Sequence, residues 1–335
     1  MRSSRRAVCV LGAALLTTSL AACVSKSTKA TAAGETPKNV QIIVDTGPGG
    51  GSDLFAREVL KIATTDKLIT TNWPVVSQPQ GGGLGAMAFM KNKAKQDNFV
   101  AAFTSKWIVA ALSTPNTPAK LSDLTPIAEI ADETQVIAAP ASAPYDTMAG
   151  FIQAAKASPG KLVQTGGSIN SVDNLIALQI EKLSGASWKY LSFDDGGPRI
   201  TALLRGDAQI DIGAESDFSD QIAAGKLKLI GVVSNQRLTD MPNVSTLAEQ
   251  GVDLGNLPTQ IQFRGIAGPP GMSPAAVKYY ADLLQKMVAT PEWAAYLKSQ
   301  GLTTKFVTGN DLTALLSNFT TTIQPLVASL AQSGS

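Results

Sequence analysis

Val40-Gln41-Ile42-Ile43-Val44, then Asp45-Thr46-Gly47-Pro48-Gly49-Gly50-Gly51-Ser52-Asp53, then Leu54-Phe55-Ala56-Arg57: an apolar run of strand length, a glycine-rich turn and the opening of a helix. The run reads as a strand from Val40 to Val44, and the helix as extending from Asp53 to Ala63. A helix start leaves four backbone N–H groups unpaired and carries the positive end of the helix dipole. Glycines let a ligand reach that backbone without side-chain obstruction. Together they suit an anion, a carboxylate or a phosphate; a side chain at Gly50 is expected to block the approach. The same residues also suit a plain tight turn in which Ser52 or Asp53 is only an N-cap.

Outward from this stretch the strand–turn–helix unit recurs. Val75-Val76 is a short strand, and Gly81-Gly82-Gly83 opens a helix from Leu84 to Ala94; Phe99 to Phe103 is a further strand. A second set follows: strands at Val136–Ala139, Leu162-Val163, Trp188–Leu191, Ile210–Ile212 and Leu227–Val233, with helices at Met148–Ala157, Val172–Leu183 and Pro198–Leu204. The tail reads as helical from Pro274 to Ala289, Pro291 to Ser299 and Asp311 to Ser329. Strands alternating with helices imply an α/β fold with mostly parallel sheets and helices on their faces. Thr165-Gly166-Gly167-Ser168 and Asp195-Gly196-Gly197-Pro198 make four glycine-rich helix starts in all. In open α/β sheets such turns gather beyond the carboxyl ends of the strands, where ligands bind.

Composition narrows the chemistry. Histidine is absent and apolar residues make up 44% of the chain. The commonest general base and metal ligand is therefore missing. No G-x-x-x-x-G-K-[ST] run occurs, since Gly160-Lys161 and Gly225-Lys226 are each followed by Leu; there is no G-x-S-x-G elbow either. A hydrolase is thus disfavoured, and no cofactor, metal site or catalytic residue is assigned. Asp207 and Asp211, beside the strand at Ile210, read as turn and surface residues. Trp188, Tyr190 and Phe193 read as core and cleft-wall packing. The formal net charge is +2, and Arg2, Arg5 and Arg6 supply three of the positive charges. The body behind them is near neutral, which speaks against a nucleic-acid partner.

Those arginines open a basic n-region followed by an apolar stretch, Ala7 to Ala22, that ends in Leu20-Ala21-Ala22-Cys23. The stretch is short of the ~20 apolar residues of a spanning helix. It resembles the lipobox of bacterial lipoproteins, which implies cleavage before Cys23 and lipidation of its thiol. The other cysteine, Cys9, leaves with the signal, so the mature fold holds no disulfide. Val24 to Thr36, rich in Ser, Thr, Ala and Lys, reads as a flexible tether.

In order along the chain, the motifs resemble those of the substrate-binding subunits of tripartite tricarboxylate transporters, the Bug or TctC-like family. Gly47–Asp53 with Leu54–Arg57 is similar to that family's P-G-G-G-[ST]-D-x-x-A-R. Gln78-Pro79-Gln80-Gly81-Gly82-Gly83-Leu84-Gly85 resembles its second glycine loop. Ser158–Leu162, Gly196-Gly197-Pro198 with Ala202–Leu204, Gly225-Lys226-Leu227, Met241–Leu247 with Glu249 and Gly251, and Gly268-Pro269-Pro270-Gly271 follow in the family's order. The chain departs from it at Asp45-Thr46 (often Pro-Phe), at Asn174 (commonly histidine) and at Gln78-Pro79-Gln80 (usually Asn-x-Pro-Gly).

The resemblance implies a two-domain periplasmic-binding-protein fold of type 2 with a ligand cleft between the domains. The division it implies is a signal peptide over 1–22, lipidated Cys and tether over 23–37, a first domain over 38–140 with 258–335, and a second over 141–257. It implies ligand contacts at Pro48, Gly49, Gly50, Gly51, Ser52 and Asp53, at Gly81, Gly82, Gly83 and Leu84, and at Thr104 and Ser105. In the second domain it implies Gly167, Ser168, Asp173, Asp195, Gly196 and Gly197. Arg264 is a candidate for a further anion contact, or for a salt bridge at the surface or hinge. The function implied is a monomeric extracytoplasmic receptor, held by lipid on the periplasmic side or cell surface. It captures a small di- or tricarboxylate and delivers it to membrane transporter subunits. The alternative is a sensing subunit that signals to a membrane histidine kinase.

Overall fold

The computed structural model describes residues 36–333, apart from 168, 170, 194, 195, 240, 256 and 259–261. The signal segment, Cys23 and the tether lie outside the described residues. From Gln41 the chain runs β1 (Gln41–Val44), α1 (Gly51–Thr65), β2 (Val75–Ser77), α2 (Leu84–Lys91), β3 (Phe99–Thr104) and α3 (Lys106–Ser113). β4 (Thr125–Glu133) then passes into β5 (Gln135–Pro140) with Thr134 alone between them. There follow α4 (Met148–Ala157), β6 (Val163–Gly166), α5 (Val172–Ser184), β7 (Lys189–Ser192), α6 (Gly196–Arg205), β8 (Ile210–Ala214), α7 (Glu215–Ala223) and β9 (Leu227–Val233). The chain closes with β10 (Gln262–Gly268), α8 (Pro274–Val288), α9 (Pro291–Ser299), β11 (Leu302–Thr308) and α10 (Gly309–Ser333).

These strands form two sheets, one of order β11-β4-β10-β3-β1-β2 and one of order β7-β6-β8-β5-β9. The expected α/β class holds, but both sheets are mixed where mostly parallel ones were expected. β1 pairs in parallel with β2 and β3, whereas β3, β10, β4 and β11 pair antiparallel. In the second sheet β7, β6 and β8 are parallel, and β8, β5 and β9 antiparallel. The reason is connectivity. Parallel neighbours need a crossover helix, and β4 enters β5 without one, while β10 re-enters the first sheet after a long excursion. Sheet membership also puts β5 with the second unit, so the first crossover falls at Thr134, earlier than the boundary at 140.

Local chemistry explains the helices. Pro274 and Pro291 sit in the first turns of α8 and α9, where a missing N–H costs nothing. Ser273 and Thr290 cap those helices by accepting the N–H groups of Ala276 (3.2 Å) and Trp293 (3.2 Å). α1 buries Phe55, Val59 and Ile62 at helical spacing, and Phe55 meets Trp293 edge-on at 5.9 Å. Each such side chain contributes roughly 1.5–3 kcal/mol by leaving water. On the opposite face of the first sheet α2, α3 and α10 pack, with Phe319 of α10 edge-on to Phe263 at 5.0 Å. α10 also reaches α5 of the second unit. The parallel strands of each sheet send their carboxyl ends to one edge, and the glycine turns follow from those ends. Among the described residues no helix is long and apolar enough to cross a membrane.

Candidate functional site

At the end of β1 the side chains are engaged with one another and the backbone is left free. Gly50 is the N-cap of α1 and offers no side-chain acceptor. Thr46 Oγ1 takes the Asp53 N–H instead (3.1 Å), and the Leu54 N–H goes to the Gly50 carbonyl (2.9 Å). The Asp53 carboxylate, 2% exposed, folds back to accept the Gly49 N–H (2.9 Å) and Arg57 Nε (2.8 Å). Arg57's hydrogen bond holds that carboxyl below its ordinary pKa. Ser52 Oγ donates to the buried Asp45 (2.5 Å). No described residue accepts from the N–H groups of Gly51 or Ser52, so two donors stand open at the helix start. A Cβ at Gly51 would meet nothing within 4 Å, whereas one at Gly50 would strike Thr46 Cβ at 2.6 Å. The Cα hydrogen of Gly50 thus faces into the turn, and the position where a side chain meets an approaching ligand is Gly51.

The neighbouring turns lie alongside because β2 and β3 flank β1 in parallel, with Val44 opposite Ser77 and Ile43 opposite Ala101. Ser77 Oγ donates to the Thr46 carbonyl and the Gln78 N–H to that of Val44 (2.8 Å), which ties the first turn to the second. Gly81, Gly82 and Gly83 have φ of +62°, +61° and +114°, a left-handed run that residues with a Cβ adopt at a cost. The run lies on α3. A Cβ at Gly83 would sit 2.5 Å from Trp107 Cδ1, and one at Gly82 would sit 3.1 Å from Lys106 Cε. Trp107 is wholly buried, and its indole N–H has no acceptor among the described residues. Leu84 opens α2 half-buried. Thr104 ends β3, and Ser105 is a strut: its hydroxyl donates to Gln262 Oε1 (2.5 Å) and its N–H to the Phe263 carbonyl (3.2 Å).

Arg264 lies opposite Thr104 in the β3–β10 register, but its guanidinium pairs with Glu133 (2.5 Å) and stacks toward Phe55 at 5.3 Å. Of the two roles expected for it, the structure displays the salt bridge. Glu133 is the last residue of β4, so this pair braces the crossover to the second sheet.

In the second unit Gly167 and Asp173 come together. The Asp173 carboxylate accepts the Gly167 N–H (2.8 Å) and the Tyr190 hydroxyl (2.8 Å), and Ser192 Oγ donates to the Gly167 carbonyl (2.8 Å). Ser168 and Asp195 lie outside the described residues. Gly196 and Gly197 open α6 and border a hollow of about 430 Å³ between α6 and α7, together with Arg199 and Asp217. Asp211, expected at the surface, is fully buried and paired with Arg199 (2.7 Å). A carboxylate is accommodated there because Arg199, reaching across from α6, donates to it and to the Ile212 carbonyl (3.0 Å). Burial pushes the Asp211 carboxyl up to about 7 against the opposing pull of Arg199.

Sequence reasoning passed over Lys106. It is exposed in the first turn of α3 directly after Thr104-Ser105, and the available signal was a cation at the end of the helix dipole that disfavours cations. Among the described residues no metal-binding cluster of histidine, cysteine or acidic side chains occurs.

Residues 63–331 match the family model described as tripartite tricarboxylate transporter family receptor. Protein BugT of Bordetella pertussis is 29% identical over 251 residues, spanning 73% of this chain and 74% of that protein. The crystal structure of a TctC solute-binding protein from Polaromonas, without ligand, superposes with a TM-score of 0.73 at 24% identity, covering 87% of this chain and 98% of that one. A Rhodopseudomonas palustris protein solved with adipate gives a TM-score of 0.73 at 16% identity, covering 89% and 99%. These likenesses carry the two-domain fold, and the family is one of receptors and not of enzymes. The chain belongs to the tripartite tricarboxylate transporter receptor family, TctC, of extracytoplasmic solute-binding proteins.

Proposed function

We propose that this receptor captures a small di- or tricarboxylate between its two sheets and delivers it to a tripartite tricarboxylate-type membrane transporter, while held at the membrane by a lipid on Cys23. The observation that carries the ligand class is the pair of open N–H groups at Gly51 and Ser52, at the positive end of α1 and beside the Gly81–Gly83 turn. A carboxylate supplies two acceptor oxygens and a full negative charge to such a site. Pro48, Gly49, Leu84 and Thr104 shape its rim, and Gly167, Asp173, Gly196 and Gly197 form the opposing wall. The adipate held by the structural neighbour from R. palustris supports a carboxylate ligand, and the family description supports the transporter. Closure is driven by contacts the ligand makes only in the shut state.

The test is thermal denaturation of the purified protein with succinate, malate, adipate, citrate and a set of amino acids. A ligand present at 100 times its Kd stabilises by about 2.7 kcal/mol, which amounts to roughly 5–10 °C in Tm. A carboxylate is expected to give that shift and to be recovered chemically unchanged. No shift with any organic acid sinks the proposal.

A further inference from the structure

We propose that Lys106 selects the charge of the ligand: its ammonium group takes a second carboxylate at the Gly82 turn, so that the cleft prefers dicarboxylates to monocarboxylates of equal length. The inference rests on the reading of the cleft as a carboxylate site and deepens it.

Among the described residues, three arginines beside the glycine turns and the crossover are neutralised. Arg57 pairs with Asp53 (2.8 Å), Arg264 with Glu133 (2.5 Å) and Arg199 with Asp211 (2.7 Å). Lys106 has no carboxylate within ion-pair distance among the described residues. It is also placed against local preference. Position one of α3 is where a helix favours an anion, and a protein that breaks such a rule does so most often where function requires it. Here the lysine adds its charge to two further sources of positive potential, the start of α3 and the adjoining start of α2.

Geometry puts that charge on the site and not merely near it. The Lys106 side chain lies over Gly82, with a Cβ built there falling 3.1 Å from Cε and 3.9 Å from Nζ. Any larger residue at 82 would therefore displace the lysine. Trp107, the next residue, anchors the same turn from below: it is fully buried, its ring lies against Gly83, and its indole N–H has no acceptor among the described residues. β1 and β2 are adjacent strands, so the turn that follows β2 lies beside the one that carries the Gly51 and Ser52 amides. A ligand with a carboxylate at each end satisfies both ends of this arrangement. One with a methyl group at the far end leaves the ammonium group unpaired.

The experiment is calorimetric titration of the unmodified protein, Lys106→Gln and Lys106→Arg with two length-matched pairs, adipate against hexanoate and succinate against butyrate. Lys106→Gln is expected to weaken the dicarboxylate about 10–50-fold and the monocarboxylate less than about 3-fold. Lys106→Arg is expected to restore most of the dicarboxylate affinity. Because Lys106 is exposed and unpaired, both variants are expected to keep the parental Tm. A loss shared equally by both members of a pair, or no loss at all, overturns the assignment, since a structural role or a contact to a single carboxylate moves the two probes together. If the unmodified protein binds mono- and dicarboxylates alike, the inference about Lys106 falls and the carboxylate site stands. If it binds no carboxylate, both fall.

Discussion

Gly50 and Gly51 are adjacent in the chain and have opposite surroundings, so substitutions at the two positions separate the ligand face of the turn from its interior. Gly51 is the first residue of α1, its φ is not in the left-handed region, and a Cβ there meets no atom within 4 Å. On helix propensity alone, Gly51→Val changes stability by no more than about 0.5 kcal/mol. Its methyl groups, however, occupy the space in front of the Gly51 and Ser52 amides. A hydrogen bond to a charged group contributes about 1.5–3 kcal/mol, so loss of one such contact lowers affinity roughly 10- to 150-fold. At Gly50 the added carbon lies 2.6 Å from Thr46 Cβ and 2.8 Å from its hydroxyl. Thr46 must move, and the Asp53 N–H loses its acceptor with it. Overpacking of this kind costs about 1–3 kcal/mol, and each kcal/mol lowers Tm by roughly 2–4 °C. The assay is paired: denaturation of each ligand-free variant, then titration with whichever carboxylate stabilises the parent. Gly51→Val should keep its Tm and lose binding, and Gly50→Ala should lose several degrees before any ligand is added. Parental affinity in a folded Gly51→Val variant would refute the placement of the carboxylate at this helix start.

Four further outcomes are expected, three from the geometry and one from the lipobox-like motif. Gly83→Ala, with φ of +114° and its Cβ driven into the buried Trp107 ring, should cost about 2–5 kcal/mol in denaturant unfolding, and Gly49→Ala, strained but in open space, distinctly less. Arg264→Met should cost about 3 kcal/mol by leaving Glu133 unpaired at the crossover, with much of it recovered in the double variant Arg264→Met/Glu133→Leu. Glu129, 1% exposed, is pushed up to about 9 by burial and by the adjacent Asp132. The folded state therefore binds one more proton than the unfolded chain between about pH 4.5 and 9, so stability should fall as pH rises through that window, by at most about 1.4 kcal/mol per unit, and Glu129→Gln should flatten the slope measured by urea unfolding. Cys23→Ser should move the protein from the membrane fraction to the soluble fraction on fractionation of expressing cells; retention with the membrane would remove lipid anchoring from the proposed function.

Every strand of the second sheet and the parallel strands of the first were legible in the sequence, and the antiparallel additions to the first sheet were not. Every strand that leads through a glycine turn into an amphipathic helix was visible, because the apolar run and the change of period coincide. β4, β10 and β11 were not, for a common physical reason. β4 buries Glu129, Asp132 and Glu133, and acidic residues inside a strand erase the apolar run that announces one. β10 carries Arg264, Gly265 and Gly268, a loop-like composition. Yet Gly265 is demanded by packing, since a Cβ there would strike Phe103 and the Ala128 carbonyl. Two of the charges are tolerated because they meet from distant positions: Arg264 reaches Glu133 across β10 and β4, a pairing no local pattern contains. Asp211 was misplaced for the same reason, its partner Arg199 lying on a different element.

The glycine turns themselves were legible, but the division of labour within them was not. Ser52, Asp53 and Ser105 are the residue types that bind ligands through side chains, and here each side chain is bonded to the protein: to Asp45, to Gly49 and Arg57, and to Gln262. Asp173 does the same for Gly167 in the second unit. The turns are thus held in shape before any ligand arrives, which lowers the ordering cost of binding. What remains facing outward is backbone N–H, which recognises a carboxylate as such and cannot distinguish one acid from another. On the proposed reading, discrimination falls to the side chains around the amides: Lys106 on one side and, on the other, Leu54 and Ile169, large apolar side chains left more than half exposed beside the first and third turns. A receptor built this way can change its ligand by substitutions at such positions without disturbing the carboxylate grip.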